Sequence, residues 1–118
     1  MNRLGLFAAL TGFLAVALGA FGAHALDGTL TAEGTDWWHT ATLYALPHAA
    51  MALAIALHSG NGLIRKAGWA FVVGTIVFAG SLYAMALGAP RWFGAITPIG
   101  GVSYLVGWGL CALGASRS

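Results

Sequence analysis

LGLFAALTGFLAVALGAFGAHAL, residues 4–26, runs 23 residues without a charge and decides the fold. As a helix rising 1.5 Å per residue it reaches about 35 Å, enough to cross a hydrocarbon core about 30 Å thick. Three more charge-free runs follow, at 37–64, 67–90 and 92–116. Each is mostly Leu, Ala, Val, Ile, Phe and Gly, and each exceeds the roughly 20 apolar residues that a span requires. None alternates over about ten residues, as a membrane-barrel strand does. An open sheet cannot satisfy its backbone in lipid, so the spans are helices. The chain therefore reads as all-α: an integral membrane four-helix bundle, with residues 1–118 forming a single transmembrane domain.

The composition requires the same solvent. Of 118 residues, 59% are hydrophobic and 7% charged, where a soluble domain carries about 25% charged residues. So few charges cannot cover a water-facing surface, because contiguous apolar patches aggregate. The length accommodates one bundle and no separate soluble domain. A net charge of +2 comes from five basic residues scattered along the chain. With no basic stripe among them, nucleic acid is not an expected partner. The single cysteine, Cys111, lies in the fourth run and has no partner for an internal disulfide; it reads as a small packing residue.

Local signals place the helices at about 4–26, 37–57, 66–87 and 97–114. Asp27-Gly28 ends the first, and Asp36 is positioned to cap the second. His58-Ser59-Gly60-Asn61-Gly62 is a turn by composition. Gly88-Ala89-Pro90 stops the third helix, and Thr97-Pro98 opens the fourth, where proline suits a first turn. Arg3, Arg65, Lys66 and Arg117 then fall on one side of the membrane. Arg91 stands on the other, with all three acids (Asp27, Glu33 and Asp36) in the first loop there. The excess of Lys and Arg orients both termini to the cytoplasm. Trp37, Trp38 and Trp92 are expected at the outer interface. Ala23-His24-Ala25 also resembles a signal-peptide cleavage site, but the apolar run before it is longer than the usual 7–15 residues. A retained span is the reading adopted.

Small residues recur along helix one at Gly5, Ala8, Gly12, Ala15, Gly19 and Gly22, in steps of three and four. In lipid, helices associate through close backbone approach, not through a hydrophobic drive. This seam is expected to pack helix one centrally in a Gly/Ala-rich, left-handed bundle. Helix four repeats the device at Gly100, Gly107 and Gly114, and at Ser103, Gly107 and Cys111.

Polar groups at membrane depth are costly, and each needs a reason. His48 lies eleven residues past Trp37, about 16 Å along the axis, hence near mid-membrane. Tyr44 is one turn before it, and Pro47 removes the donor to the Leu43 carbonyl and kinks the helix. One reading is a neutral His48 bonded to a serine, a tyrosine or a freed carbonyl; the others are ligand binding, proton relay and metal ligation. His24, Tyr44, Ser81, Tyr83, Thr97, Ser103 and Tyr104 gather in the outer half, which suggests an outward-facing polar pocket closed below. His39 and His58 are interfacial. His24 and His48 differ by roughly 10 Å in depth, which disfavours a shared haem. His24 and His39 match better, with Asp27 or Asp36 beside them, though no dense His/Cys cluster supports zinc or copper. Nothing resembles a nucleophile–base pair, a phosphate-binding loop or paired carboxylates.

Three ordered stretches carry a family resemblance. They are FAALTGFLAVALGAFGAHAL from Phe7 to Leu26, GTIVFAGSLYAMAL from Gly74 to Leu87, and ITPIGGVSYLVGWGL from Ile96 to Leu110. Together they resemble the domain of unknown function 423 family, the YgdD-like bacterial inner-membrane proteins; mitochondrial transmembrane protein 256-like proteins look related. The family's Tyr-x-x-x-His pattern falls on Tyr44 and His48. Its other motif residues fall on His24, Ser81, Tyr83, Thr97, Pro98, Gly100 and Gly101. The resemblance implies four helices in a bacterial inner membrane and no particular activity.

The expected function is that of a non-enzymatic membrane protein whose outer-half pocket takes a small ligand or lipid. Its ligand-binding or polar-network residues are His24, Tyr44, His48, Ser81, Tyr83, Thr97, Ser103 and Tyr104. A structural or assembly partner of other membrane proteins is one alternative, and a haem- or metal-binding redox subunit is another. Outside that last reading no cofactor is expected. The expected partners are the bilayer and either a second copy or another membrane protein.

Overall fold

The computed structural model describes residues 1–58 and 61–118, and the turn expected at 58–62 falls partly on 59 and 60, outside the described residues. Four helices follow one another: α1 (Arg3–His24), α2 (Ala32–His58), α3 (Gly62–Ala86) and α4 (Thr97–Ser116), with a short 3-10 segment, Arg91–Ala95, before the last. All four are long and apolar enough to cross a membrane. No strand occurs among the described residues.

Polar side chains set the helix ends. Asn2 has an extended backbone and its side chain accepts from the Gly5 N–H, while its amide donates to the Ala56 carbonyl near the end of α2 at 2.8 Å. Asn61 does the same for the other hairpin. It caps α3 by accepting from Ile64 and donates to the Gly114 carbonyl of α4 at 3.0 Å. Each asparagine satisfies orphan groups of two helices at once. Both termini therefore lie at one end of the bundle, beside the start of α3, and the α1–α2 loop lies at the opposite, far end.

Two expectations about α2 fail for one reason. The helix starts at Ala32, not Trp37, so Asp36 is an interior residue and not its cap. Thr31 caps it, with its hydroxyl accepting from the Gly34 N–H at 2.9 Å. Charges mark where hydrocarbon ends, whereas a helix stops where its end groups find partners, here a full turn outside. At the end of α3, Gly88 has φ 109°. Its N–H reaches the Met85 carbonyl, and that of Ala89 reaches Ala84. That pair of bonds satisfies the last carbonyls around a left-handed residue.

The centre of the bundle is α3, not α1. It packs along both α2 and α4, while α1 lies on α2 and touches α3 only lightly. The α1 seam exists but serves that single neighbour. Gly12 faces Ala49, Gly19 faces Thr42 and Gly22 faces Trp38. A Cβ at Gly22 would collide with the Trp38 indole, whose N–H donates to the Leu18 carbonyl at 2.9 Å. Trp38 is thus a core residue, 2% exposed, and not part of an interfacial belt. Trp92 is exposed as expected, and Trp37 carries the Arg91 guanidinium over its ring at 5.6 Å.

The α3–α4 contact is a heptad match. Ile64, Phe71 and Phe78 of α3 seat on Gly114, Gly107 and Gly100 of α4, and Tyr104 seats in return on Gly74. The residue numbers of every pair add to the same total, as antiparallel registry demands. In each case a large side chain occupies the space a Cβ would need, which is how small residues hold membrane helices together.

Two apolar cores result. One, toward the termini, includes Leu4, Ala8, Ala52, Ile55, Ala67 and Phe71. The other, toward the far end, includes Ala15, Trp38, Ala45, Ala79 and Leu82. Between them along the chain fall the buried polar residues Thr11, His48 and Thr75, one from each of α1, α2 and α3. They make a polar layer at mid-height.

Candidate functional site

His48 anchors that layer. Its Nδ1 lies 2.6 Å from the Tyr44 carbonyl, and its Nε2 lies 3.0 Å from the Trp108 indole nitrogen. A carbonyl can only accept and an indole N–H can only donate. His48 is therefore a neutral imidazole with its proton on Nδ1, donating to Tyr44 and accepting from Trp108. The freed Leu43 carbonyl is not its partner. Both ring nitrogens are engaged, so a metal at His48 would have to displace Trp108.

Aromatic rings surround the imidazole. Tyr104 stacks on it with ring centres 3.7 Å apart and planes 17° apart. Tyr44 lies on the same orientation, at 15° to His48 and 16° to Tyr104. Phe71 and Trp108 meet the imidazole edge-on, at 5.3 Å and 5.9 Å. The backbones of α2 and α4 stay apart across α3, and these rings bridge the gap. Above them runs a groove of about 500 Å³ that reaches Pro98, Gly101, Val102 and Leu105 of α4.

The hydroxyls resolve into separate pairs. Tyr83 bonds Thr42 at 2.5 Å, Tyr104 bonds Thr75 at 2.9 Å, and Ser81 bonds Thr97 at 2.5 Å. Ser103 donates to the Ala70 carbonyl at 2.7 Å. No buried side-chain polar atom lacks a partner among the described residues. The eight residues expected at one pocket are thus divided. Tyr44, His48 and Tyr104 share the groove; Ser81, Tyr83, Thr97 and Ser103 are used up in helix–helix bonds; His24 is exposed at the far end of α1.

Tyr44 differs from the rest. It is 44% exposed in the groove, and its hydroxyl has no hydrogen-bond partner among the described residues. It sits seven residues past Trp37 and one turn outward of His48, about 10 Å along the axis, inside the hydrocarbon where a bilayer offers no water.

Trp108, Thr42 and Thr75 escaped the sequence reading. Thr75 was legible as a hydroxyl in the middle of an apolar span. Trp108 was not, because a tryptophan in the middle of a span gives no sign that its N–H is taken by a residue sixty positions away. His24, His39, Asp27 and Asp36 are all exposed, and no three His, Cys, Asp or Glu side chains converge on a metal position among the described residues. The far-end cleft of about 290 Å³ holds Asp27 and His39 without a third ligand.

Residues 18–101 match the family model described as protein of unknown function, DUF423. The chain belongs to that family. The DUF423 match ends at the Gly100-Gly101 pair, so Trp108 lies outside it while Tyr44 and His48 lie inside. A UPF0382 membrane protein of Staphylococcus saprophyticus is 43% identical over 111 residues, covering 92% of each chain. The UPF0382 inner membrane protein YgdD of Escherichia coli K12 is 42% identical over 115 residues, covering 95% of this chain and 88% of the relative. The membrane protein YwdK of Bacillus subtilis is 37% identical over 113 residues, covering 92% of each. No solved structure matches the chain. The DUF423 relatives are named as membrane proteins, in agreement with the four spans.

Proposed function

We propose that this chain is a non-enzymatic binding protein of the bilayer, which takes a ligand from the lipid phase into the groove between α2 and α4. The observation that carries the reading is the Tyr44 hydroxyl, left without a partner inside the apolar stretch of a membrane-spanning helix. A hydroxyl held in hydrocarbon without a hydrogen bond costs about 1–3 kcal/mol on protein scales, and a bound ligand recovers that energy. The groove volume, about 500 Å³, falls within the roughly 300–1,000 Å³ of small-molecule sites. The rest of the interior is satisfied internally, so the groove is where polar complementarity remains to be used. In this reading the protein carries no haem or metal, and both termini face the cytoplasm, which the cluster of Arg3, Arg65, Lys66 and Arg117 at their end supports.

An assembly role is the second reading. Gly109 on α4 has open space around it, and Val106, about one turn before it and outside the groove lining, is 51% exposed, so a second helix has access there. Two variants separate the readings. Gly101 lines the groove, and a Cβ there meets only Phe78 at 3.9 Å, so Gly101→Leu fills the groove without a backbone clash. Gly109→Leu alters the open α4 face instead. Native mass spectrometry of the full-length protein, released from membranes in mild detergent, is expected to show bound lipid-phase ligand in wild type and Gly109→Leu and none in Gly101→Leu. The same preparation is expected to be colourless. Equal ligand retention in all three would sink the groove reading, and loss of oligomers in Gly109→Leu alone would favour assembly.

A further inference from the structure

The groove's chemistry narrows what it can hold, given the binding role just proposed. Its lining carries no charged side chain, and His48 is neutral by the hydrogen bonds it makes. An ionised ligand would have no counter-charge at membrane depth, which is costly; the ligand is neutral. Every polar side-chain atom of the lining residues except one is engaged. The His48 nitrogens face Tyr44 and Trp108, and the Tyr104 hydroxyl faces Thr75. Only the Tyr44 hydroxyl is free, so the ligand needs one hydrogen-bonding function placed within the hydrocarbon, at the depth of Tyr44 in its outer half. Phospholipids bring none there, because their esters and headgroups stay at the interface, about 10 Å outward of Tyr44 when the rise is counted from Trp37.

The free hydroxyl sits on the one ring of this set that faces the groove. Tyr44 is 44% exposed, while His48 and Tyr104 behind it, in the same orientation to within 15–17°, are buried, and an open aromatic ring favours flat, conjugated partners in offset or edge contact. Beyond that ring the groove is bordered by the apolar Val102 and Leu105, both more than half exposed, which suits a long hydrocarbon tail. We infer that the groove binds a neutral lipid with a flat carbonyl-bearing ring and an apolar tail, the isoprenoid quinone class, with one ring carbonyl accepting from the Tyr44 hydroxyl.

A ubiquinone analogue with a two-isoprene tail is a suitable probe, since quinone rings quench indole fluorescence on contact and Trp108 borders the groove. Titrated into full-length protein in phosphatidylcholine nanodiscs, it is expected to quench tryptophan emission saturably. Tyr44→Phe keeps the ring and breaks no internal bond, so helicity and melting should stay at wild-type values. Its half-saturation concentration is expected to rise about tenfold, equal to about 1.4 kcal/mol. Gly101→Leu should abolish saturable quenching. If Tyr44→Phe binds the probe as wild type does, or if squalene competes equally well, the quinone assignment is overturned while the groove reading stands. The quinone assignment alone also falls if the probe fails to bind yet a Gly101-sensitive ligand persists in native mass spectra. Absence of both probe binding and any retained ligand overturns the two readings together, as does cross-linking of a photoreactive residue at 102 to a second copy and not to lipid.

Discussion

Replacing Trp108 by phenylalanine isolates one hydrogen bond at the centre of the bundle. The phenyl ring can keep the contact with Phe71, whose ring centre lies 4.8 Å from that of Trp108, and the edge contact with His48. What disappears is the N–H that His48 Nε2 accepts at 3.0 Å. His48 is 8% exposed, so no outside donor replaces it, and an unpaired buried acceptor costs about 1–3 kcal/mol. Hydrogen bonds between membrane helices are weaker on average, about 0.6 kcal/mol and up to about 1.7 in double-mutant cycles. The bond here is of ordinary length and its acceptor is buried, which places the expected loss near the overlap of those ranges, about 1–2 kcal/mol. His48→Phe should leave the indole N–H unpaired at similar cost, and the double variant should cost less than the sum. The resulting coupling energy is expected near 1 kcal/mol. Equilibrium unfolding in mixed micelles with increasing dodecyl sulfate, followed by far-UV circular dichroism, avoids dependence on tryptophan emission. A loss under about 0.3 kcal/mol, or a coupling of zero, would show that indole and imidazole are not bonded. The assignment of a neutral His48 with its proton on Nδ1 would fall with it.

Two other outcomes test the packing and the orientation. Gly100→Ala places a methyl group against the backbone of Phe78 and should destabilise the bundle by about 1–3 kcal/mol; Gly109→Ala, with open space around it, should be neutral or slightly stabilising by helix propensity. Equal melting of the two variants would contradict the α3–α4 register. A green fluorescent protein fused after Ser118 is expected to fluoresce and an alkaline phosphatase fused there to be inactive; an active phosphatase would place both termini outside the cytoplasm.

The spans were legible because solvent chemistry is written one residue at a time: a charge either falls within a window of about 20 residues or it does not. Helix ends were less legible, since Thr31 and Asn61 act through bonds whose partners were ambiguous locally, and Asp36 offered an equally plausible cap. The seam on α1 was visible as periodicity, but periodicity does not say how many neighbours a face has. That is why α1 was expected at the centre, which α3 occupies. The glycines of α4 were visible too, whereas their large counterparts Ile64, Phe71 and Phe78 pass unremarked in an apolar span. Of the candidate site, Tyr44, His48 and Tyr104 could be named from polarity at depth. Their separation from Ser81, Tyr83, Thr97 and Ser103 could not, because every one of those residues is polar in the same way and only pairing distinguishes them.

Pairing is also what separates structure from candidate function here. A buried hydroxyl with a partner on the next helix is fully explained by packing: Tyr83 with Thr42 and Ser81 with Thr97 hold α3 to its neighbours and offer nothing to a ligand. The polarity left over is concentrated on one turn of α2. Pro47 deprives the Leu43 carbonyl of its i+4 donor, on a residue 69% exposed, and Tyr44 next to it carries the unpartnered hydroxyl. Folding alone gives no reason for the hydroxyl inside a span, since phenylalanine at 44 would pack as well in lipid and lose no internal bond. A helix that keeps an unmet hydroxyl inside the hydrocarbon, beside stacked rings and a groove, is better explained by what approaches that groove than by what lies beneath it.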